Sequence, residues 1–204
     1  TLTRDISWVR LTTETGGSIE FNDEVIKKWE TDELSEEEVR EKLIQNWSKE
    51  GKNFKKEFVS IFKNISLRED SKEIIDYLKN KGYLVLMITG SFDLYAEIVG
   101  KELGVKEWFA NTTLVWDKDG KLLDVQTCKD SEAKNRKIDY FKEYCAKNNL
   151  KYEECVPVGD SSNDIGLFNL TGNGVAVRTE FGTVELEKVA WKKVNNLIGL
   201  KHLL

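Results

Sequence analysis

Histidine is nearly absent from this chain: His202 stands alone among 204 residues, close to the carboxyl end and set among leucines. A serine–histidine triad or a histidine-based zinc site would have to rest on that one residue, which sets both aside. Cysteine is scarce too. Cys128, Cys145 and Cys155 are odd in number and lack metal-type spacing, so reduced thiols in a cytoplasmic protein are expected rather than disulfides. No apolar run approaches membrane-spanning length, and no signal peptide is read at the start. Positive charge is not in excess either. Lys and Arg number 31 against 36 Asp and Glu, and the net −5 argues against nucleic acid or an anionic membrane as the main partner. What remains is an ordinary soluble composition, 40% hydrophobic and 33% charged, long enough for one domain with an inserted piece.

The first half reads as helical. Val25, Ile26 and Trp29 fall at helical spacing within a helix expected over Asn22 to Leu34. Ser35 followed by Glu38 is a capping-box signature for a second helix with Val39, Leu43 and Trp47 on one face. Gly51 breaks that pattern, and Phe54, Phe58, Val59 and Phe62 line a third helix. Aromatic stripes of this kind are core packing before they are a ligand cage. From Asp70 onward helix and strand alternate. A helix over Asp70 to Lys81 ends at Gly82, and Tyr83 to Ile88 is a continuous apolar run that suits a strand buried on both faces. Thr89-Gly90-Ser91 turns that strand into a helix from about Asp93 to Leu103. A hairpin is expected over Thr112 to Leu123, a helix over Ser131 to Asn148, and buried strands over Cys155 to Val158 and Gly174 to Val177. Such alternation predicts an α/β fold with a doubly wound, mostly parallel, Rossmann-like sheet.

Gly159-Asp160-Ser161-Ser162-Asn163-Asp164 carries the strongest chemical signal. It follows an apolar strand and precedes a short helix, so Asp160 and Asp164 lie at the carboxyl edge of the sheet, where ligands bind in open α/β folds. Helix capping needs only one such residue. Two carboxylates there suit a hard cation such as Mg²⁺, which takes oxygen ligands, water and substrate phosphate. Thr89 and Gly90 close another strand, where hydroxyl and free N–H groups suit phosphate. Asp117-Lys118-Asp119-Gly120 is acidic as well, yet Asp-Gly between two short β-type runs is first a hairpin turn.

Together these motifs resemble the haloacid dehalogenase superfamily of phosphatases, most of all its phosphoserine-phosphatase-like branch. The resemblance rests on Ile88-Thr89-Gly90-Ser91-Phe92, Leu103-Gly104-Val105, Phe109-Ala110-Asn111, Lys137 on its helix, and Gly159 to Asp164, over roughly residues 70–180. It implies catalytic roles for Thr89, Lys137 and Asp160. It further implies phosphate binding by Thr89, Gly90, Lys137 and Asn163, and Mg²⁺ held by Asp160 and Asp164. The core would comprise 1–7 and 68–204, with 8–67 an inserted helical cap. The implied reaction is hydrolysis of a small phosphorylated metabolite, a phosphomonoester, through an aspartyl-phosphate. A non-catalytic phosphate- or partner-binding protein of the same fold, or a phosphotransferase to another acceptor, stays open.

The family's first motif, Asp-x-Asp-Gly-Thr, closes its first strand and supplies the nucleophile. Thr1-Leu2-Thr3 looks like the tail of such a motif. The strand itself is expected between those ending at Thr89 and Asp160, and the upstream residues are expected to exist. Two departures bear on substrate. Ile6 stands where phosphoserine phosphatases place an acidic residue for the substrate amine. Arg10 and Arg40, the cap's only arginines, give no clear partner for a substrate carboxylate. Phosphoserine is therefore not the favoured ester.

Overall fold

The computed structural model describes Thr1–Leu204 throughout. Four helices come first: α1 (Ser7–Glu14), α2 (Ile19–Glu30), α3 (Glu36–Asn46) and α4 (Lys55–Lys63). α2 starts three residues before the expected Asn22 because the Ser18 hydroxyl accepts from Phe21 N. It ends short of Leu34 where Asp32 takes a left-handed φ of 59°. The Ser35–Glu38 capping box forms as read, with Ser35 Oγ and Glu38 each satisfying the other's backbone N–H.

The alternating part follows: α5 (Ser71–Asn80), β1 (Leu86–Phe92), α6 (Asp93–Leu103), β2 (Glu107–Trp116), β3 (Leu122–Gln126), α7 (Asp130–Asn148), β4 (Val158–Gly159), α8 (Ile165–Thr171), β5 (Val175–Val177), α9 (Val184–Val189) and β6 (Lys192–Val194). The helix expected from Asp70 starts at Ser71; the Asp70 side chain accepts from Leu197 N and Ile198 N at 2.8 and 3.3 Å, fastening the carboxyl-terminal turn to the core. β1 begins at Leu86, later than Tyr83, because its ladder partner β2 begins only at Glu107. Thr89-Gly90-Ser91 is not a turn: the strand runs on to Phe92, with an irregularity in its pairing after Thr89. Asp117 to Gly120 is the hairpin turn, with Asp117 Oδ1 accepting from the N–H groups of Asp119 and Lys121.

The α/β architecture is present, but its sheet lies in two halves. β1 pairs parallel with β2 and β2 antiparallel with β3; β4, β5 and β6 form a parallel trio. Between the halves runs a cavity of ≈ 1330 Å³. Leu86, Met87 and Ile88 line one side and Val156 and Val158 the other, with Ile74, Leu78, Leu197 and Leu200 around them. It lies between the strands ending at Thr89 and Asp160, the position the resemblance gives to a further strand.

One hydrophobic core joins the first four helices to the rest, running through Leu11, Trp29, Leu43, Trp47, Phe58 and Phe62 to Phe92, Leu94 and Tyr95. Thr12, 1% exposed, is its polar pin. Its hydroxyl donates to Trp8 O at 2.8 Å and accepts from Asn22 Nδ2 at 2.7 Å and Trp47 Nε1 at 2.9 Å. Thr12→Val keeps the shape but leaves two buried donors unpaired, at about 1–3 kcal/mol each. Equilibrium urea unfolding is expected to show a loss of about 2–5 kcal/mol; a loss under about 1 kcal/mol would remove the hydroxyl from that role.

Candidate functional site

Asp160 follows β4 directly and is 6% exposed. Its Oδ2 accepts from Thr179 Oγ1 at 2.8 Å and its Oδ1 from Thr1 Oγ1 at 2.9 Å. Burial pushes this carboxyl's pKa up, and the two hydroxyl donors act against that. Asp160 is thus a buried carboxylate held by hydroxyl donors on both oxygens.

The chain then makes a single tight turn, Ser162–Asp164, before α8. This brings Asp164 back beneath Gly159, so closely that a Cβ on Gly159 would overlap its carboxylate. Only glycine fits there, which is the physical reason for a Gly-Asp pair at the head of this turn. Asp164 Oδ1 meets Lys137 Nζ at 2.8 Å. Lys137 sits on α7, 8% exposed, while Lys134, Lys142 and Lys147 on the same helix are exposed.

Thr89, Gly90, Lys137, Asp160, Asn163 and Asp164 all line the one cavity. Thr89 Oγ1 accepts from Ser91 N at 3.1 Å, Gly90 is exposed toward the opening, and Asn163 is exposed at the rim. The structure therefore brings every sequence-derived site residue to the carboxyl edge of the split sheet. Hard oxygen donors are concentrated at Asp160 and Asp164. No cluster of three or more His, Cys, Asp or Glu residues forms a protein-only metal cage. Such a donor set fits Mg²⁺, which binds through one or two carboxylates together with water and phosphate.

Thr179 and Ser7 escaped the sequence reading, and Asn111, though its motif was quoted, was given no place at the site. Thr179 holds Asp160 from the loop after β5, a long-range contact with no local signature. Asn111, 4% exposed, lines the cavity beside Gly90 with its Oδ1 unpartnered. Ser7 at the start of α1 bonds Ser91 within the irregular stretch of β1, which draws the first helix over the site. For Lys137 a signal was present: it shares a buried stripe with Phe141, Tyr144 and Cys145, at i, i+4, i+7 and i+8.

Over the opening lie Ile6, Trp8 and Val9 beside α1, and Ile26, Lys27 and Glu30 of α2. Glu30 reaches across to accept from Ser131 N at 3.2 Å, and Asp32 pairs with Lys129 at 2.5 Å, so α2 is fastened to the start of α7. Arg10 and Arg40 are turned to other partners, Glu14 for the first and Glu36 and Asp124 for the second, and neither lines the cavity. No helix is long and apolar enough to cross a membrane.

The family model of haloacid dehalogenase-like hydrolases matches residues 13–169. A phosphoserine phosphatase of Methanocaldococcus jannaschii is 35% identical over 115 residues, 56% of this chain and 53% of that protein. One from Lactococcus lactis is 30% identical over 119 residues, 58% of this chain and 54% of that protein. The chain thus matches about half the length of these curated relatives. Among solved structures, a phospho-aspartyl intermediate analogue of phosphoserine phosphatase superposes with a TM-score of 0.73 at 25% identity, covering 100% of this chain and 94% of that one. A substrate-bound phosphoserine phosphatase complex gives the same TM-score of 0.73 and covers 93% of its own chain. With the family model spanning well over half of its residues, the chain belongs to the haloacid dehalogenase-like hydrolases.

Proposed function

We propose that this site is a phosphoryl-transfer centre hydrolysing a small, soluble phosphomonoester through an aspartyl-phosphate, with Mg²⁺ as cofactor. The observation that carries the reading is the buried Lys137–Asp164 pair at 2.8 Å, set beside Asp160 and Thr89 at the ends of two strands on one cavity. Phosphoryl transfer asks little covalent chemistry of a protein and much positioning and charge balance. Lys137 is a buried cation whose partner can be exchanged: a phosphate dianion entering the cavity competes with Asp164 for its three donors. The Thr89 hydroxyl and the Gly90 N–H supply further donors to the equatorial oxygens. Asn163, at the rim, orients the ester or a bound water.

Asp160 would hold the cation, with Asp164 joining directly or through water once Lys137 turns to phosphate. Bound there, Mg²⁺ supplies neutralisation of charge on the phosphoryl oxygens. The attacking carboxylate would come from a further strand between β1 and β4, whose facing edges are unpaired and whose walls are apolar. α1 and α2 act as the cap, limiting water and meeting the organic part of the ester.

A second reading, phosphate binding without turnover, is favoured by one feature. The two carboxylates at the strand ends are both engaged, Asp160 by Thr1 and Thr179 and Asp164 by Lys137, so neither is a free nucleophile. The chain joined to an extended apolar segment ending Asp-x-Asp-Gly is expected to hydrolyse p-nitrophenyl phosphate with Mg²⁺ and to stop with EDTA. No turnover across a broad panel of phosphate esters would leave the binding reading standing. In the active form, Lys137→Ala and Asp160→Asn are each expected to lower kcat by about a hundredfold or more. Near-normal rates for either would remove that residue from the reaction.

The relatives' names make phosphoserine the first ester to try, but the wall beside α1 offers an amino acid no charge. Ile6 and Val9 stand 48% and 38% exposed there. An ammonium placed against these two side chains would lose hydration, the carboxylates Asp23 and Glu30 of the same lining standing on α2 instead. Uncharged esters of similar size are expected to exceed phosphoserine in kcat/KM, and Ile6→Glu to shift the ratio toward phosphoserine by about tenfold. An unchanged ratio in that variant would place the organic group elsewhere.

A further inference from the structure

α7 ends at Asn148, and the chain reverses at once. Asn149 adopts a left-handed φ of 54°, Leu150 N returns to Cys145 O at 2.9 Å, and a turn at Tyr152–Glu154 follows. This reversal carries Cys155 back against the last turns of the helix it has just left. Cys145 Sγ and Cys155 Sγ stand 3.8 Å apart. Ten residues of separation gave no hint of this, since the spacing fits neither a metal motif nor adjacent helical turns.

We propose that Cys145 and Cys155 are a thiol pair that a peroxide oxidises to an intramolecular disulfide, a modification site outside the phosphoryl-transfer chemistry. The two thiols differ in a way that assigns their order. Cys155 is half-buried and lines the cavity between the sheet halves, whereas Cys145 is 1% exposed. Cys155 Sγ also reaches Lys151 O at 3.4 Å. Burial raises both thiol pKa values, with Cys145 pushed up to about 12, while hydrogen bonding from Cys145 partly offsets the rise at Cys155. Cys155 is therefore the first to react and Cys145 the resolving partner.

The chemistry balances with hydrogen peroxide as the named oxidant. The Cys155 thiolate attacks one peroxide oxygen, the O–O bond breaks, and hydroxide leaves and is protonated to water, giving a sulfenic acid. Cys145 gives up its thiol proton and its sulfur attacks the sulfenic sulfur. The S–S bond forms as the S–O bond breaks, and hydroxide again leaves as water. Two thiols lose two electrons and two protons; one peroxide becomes two waters. A disulfide needs sulfurs about 2.0 Å apart, so the reversal after α7 must close by nearly 2 Å. That closure ties the helix bearing Lys137 to the segment leading into β4, at the end of the strand remote from Asp160.

The test is peroxide treatment of the full chain followed by intact mass and a non-reducing peptide map. The expected product has lost two hydrogens per chain, joins the Cys145 and Cys155 peptides, and reverts with dithiothreitol. Its rate of formation is expected to rise with pH as the thiolate fraction grows. Cys145→Ser should leave Cys155 as a sulfenic acid that dimedone traps, and Cys128→Ser should change nothing. Because Cys145→Ser removes a buried side chain and can disturb folding, the wild-type peptide map decides on its own. Stable oxygen addition without cross-linking, a disulfide involving Cys128, or cross-linking only between chains would overturn the assignment.

Discussion

Three buried charges in one corner organise this molecule. Asp160, Asp164 and Lys137 are 6%, 9% and 8% exposed, and a buried charge without a partner costs several kcal/mol. The fold meets that constraint locally. α7 must lie where Lys137 reaches Asp164, the turn after β4 must be tight enough to bring Asp164 under Gly159, and the loop after β5 must offer Thr179 to Asp160. Removing either member of the Lys137–Asp164 pair would strand the other in a poorly hydrated place. The same arithmetic explains why the corner is suited to ligands. A phosphate and a divalent cation arriving together can replace protein partners with equivalent ones, phosphate on the lysine and cation on the carboxylates, with net charge little altered.

What could be read in the sequence was set by the range of the interaction. Ser35 with Glu38 and Asp117 with Gly120 act over three residues, and both formed as expected. Asp70 stands at the start of α5, but its side chain's partners are Leu197 and Ile198, which no nearby residue could announce. Thr89-Gly90-Ser91 was misread for a related reason. Glycine after a buried strand signals a turn, yet β2 continues alongside and keeps the chain extended to Phe92. The six candidate residues, which line one cavity, could be picked out together because they fall in ordered motifs. Thr179, whose contribution is one hydroxyl at long range, carries no such mark, and the spacing of the Cys145–Cys155 pair concealed it.

The split sheet is where local sequence and observed environment disagree most. Tyr83 to Ile88 is apolar enough for a strand covered on both faces, but Tyr83 and Leu84 are 43% and 63% exposed and Leu86 to Ile88 only half-buried. β4, preceded by an equally apolar run, forms a ladder of just two residues. Both strands have a paired neighbour on one edge and the cavity on the other. Strand length in a sheet depends on partners, and a strand held from one side frays where its single ladder ends.

The cavity thus presents two surfaces with different demands. Between the sheet halves its walls are apolar and flanked by backbone groups in need of partners, which suits an extended chain: side chains fill the walls and the backbone completes both ladders. At the carboxyl edge the lining changes to Thr89, Lys137, Asp160 and Asp164, which suits a small, highly charged group. A strand running parallel to β1 and β4 would deliver its last residues to this boundary, facing Lys137 and Asp160. Above it, Ile6, Val9 and Ile26 are apolar, with Lys27 and Glu30 beside them. An apolar slot, a polar band and a roof of mixed lining thus follow one another. On the proposed reading the band would recognise phosphate by charge, and the roof would select what the phosphate is attached to.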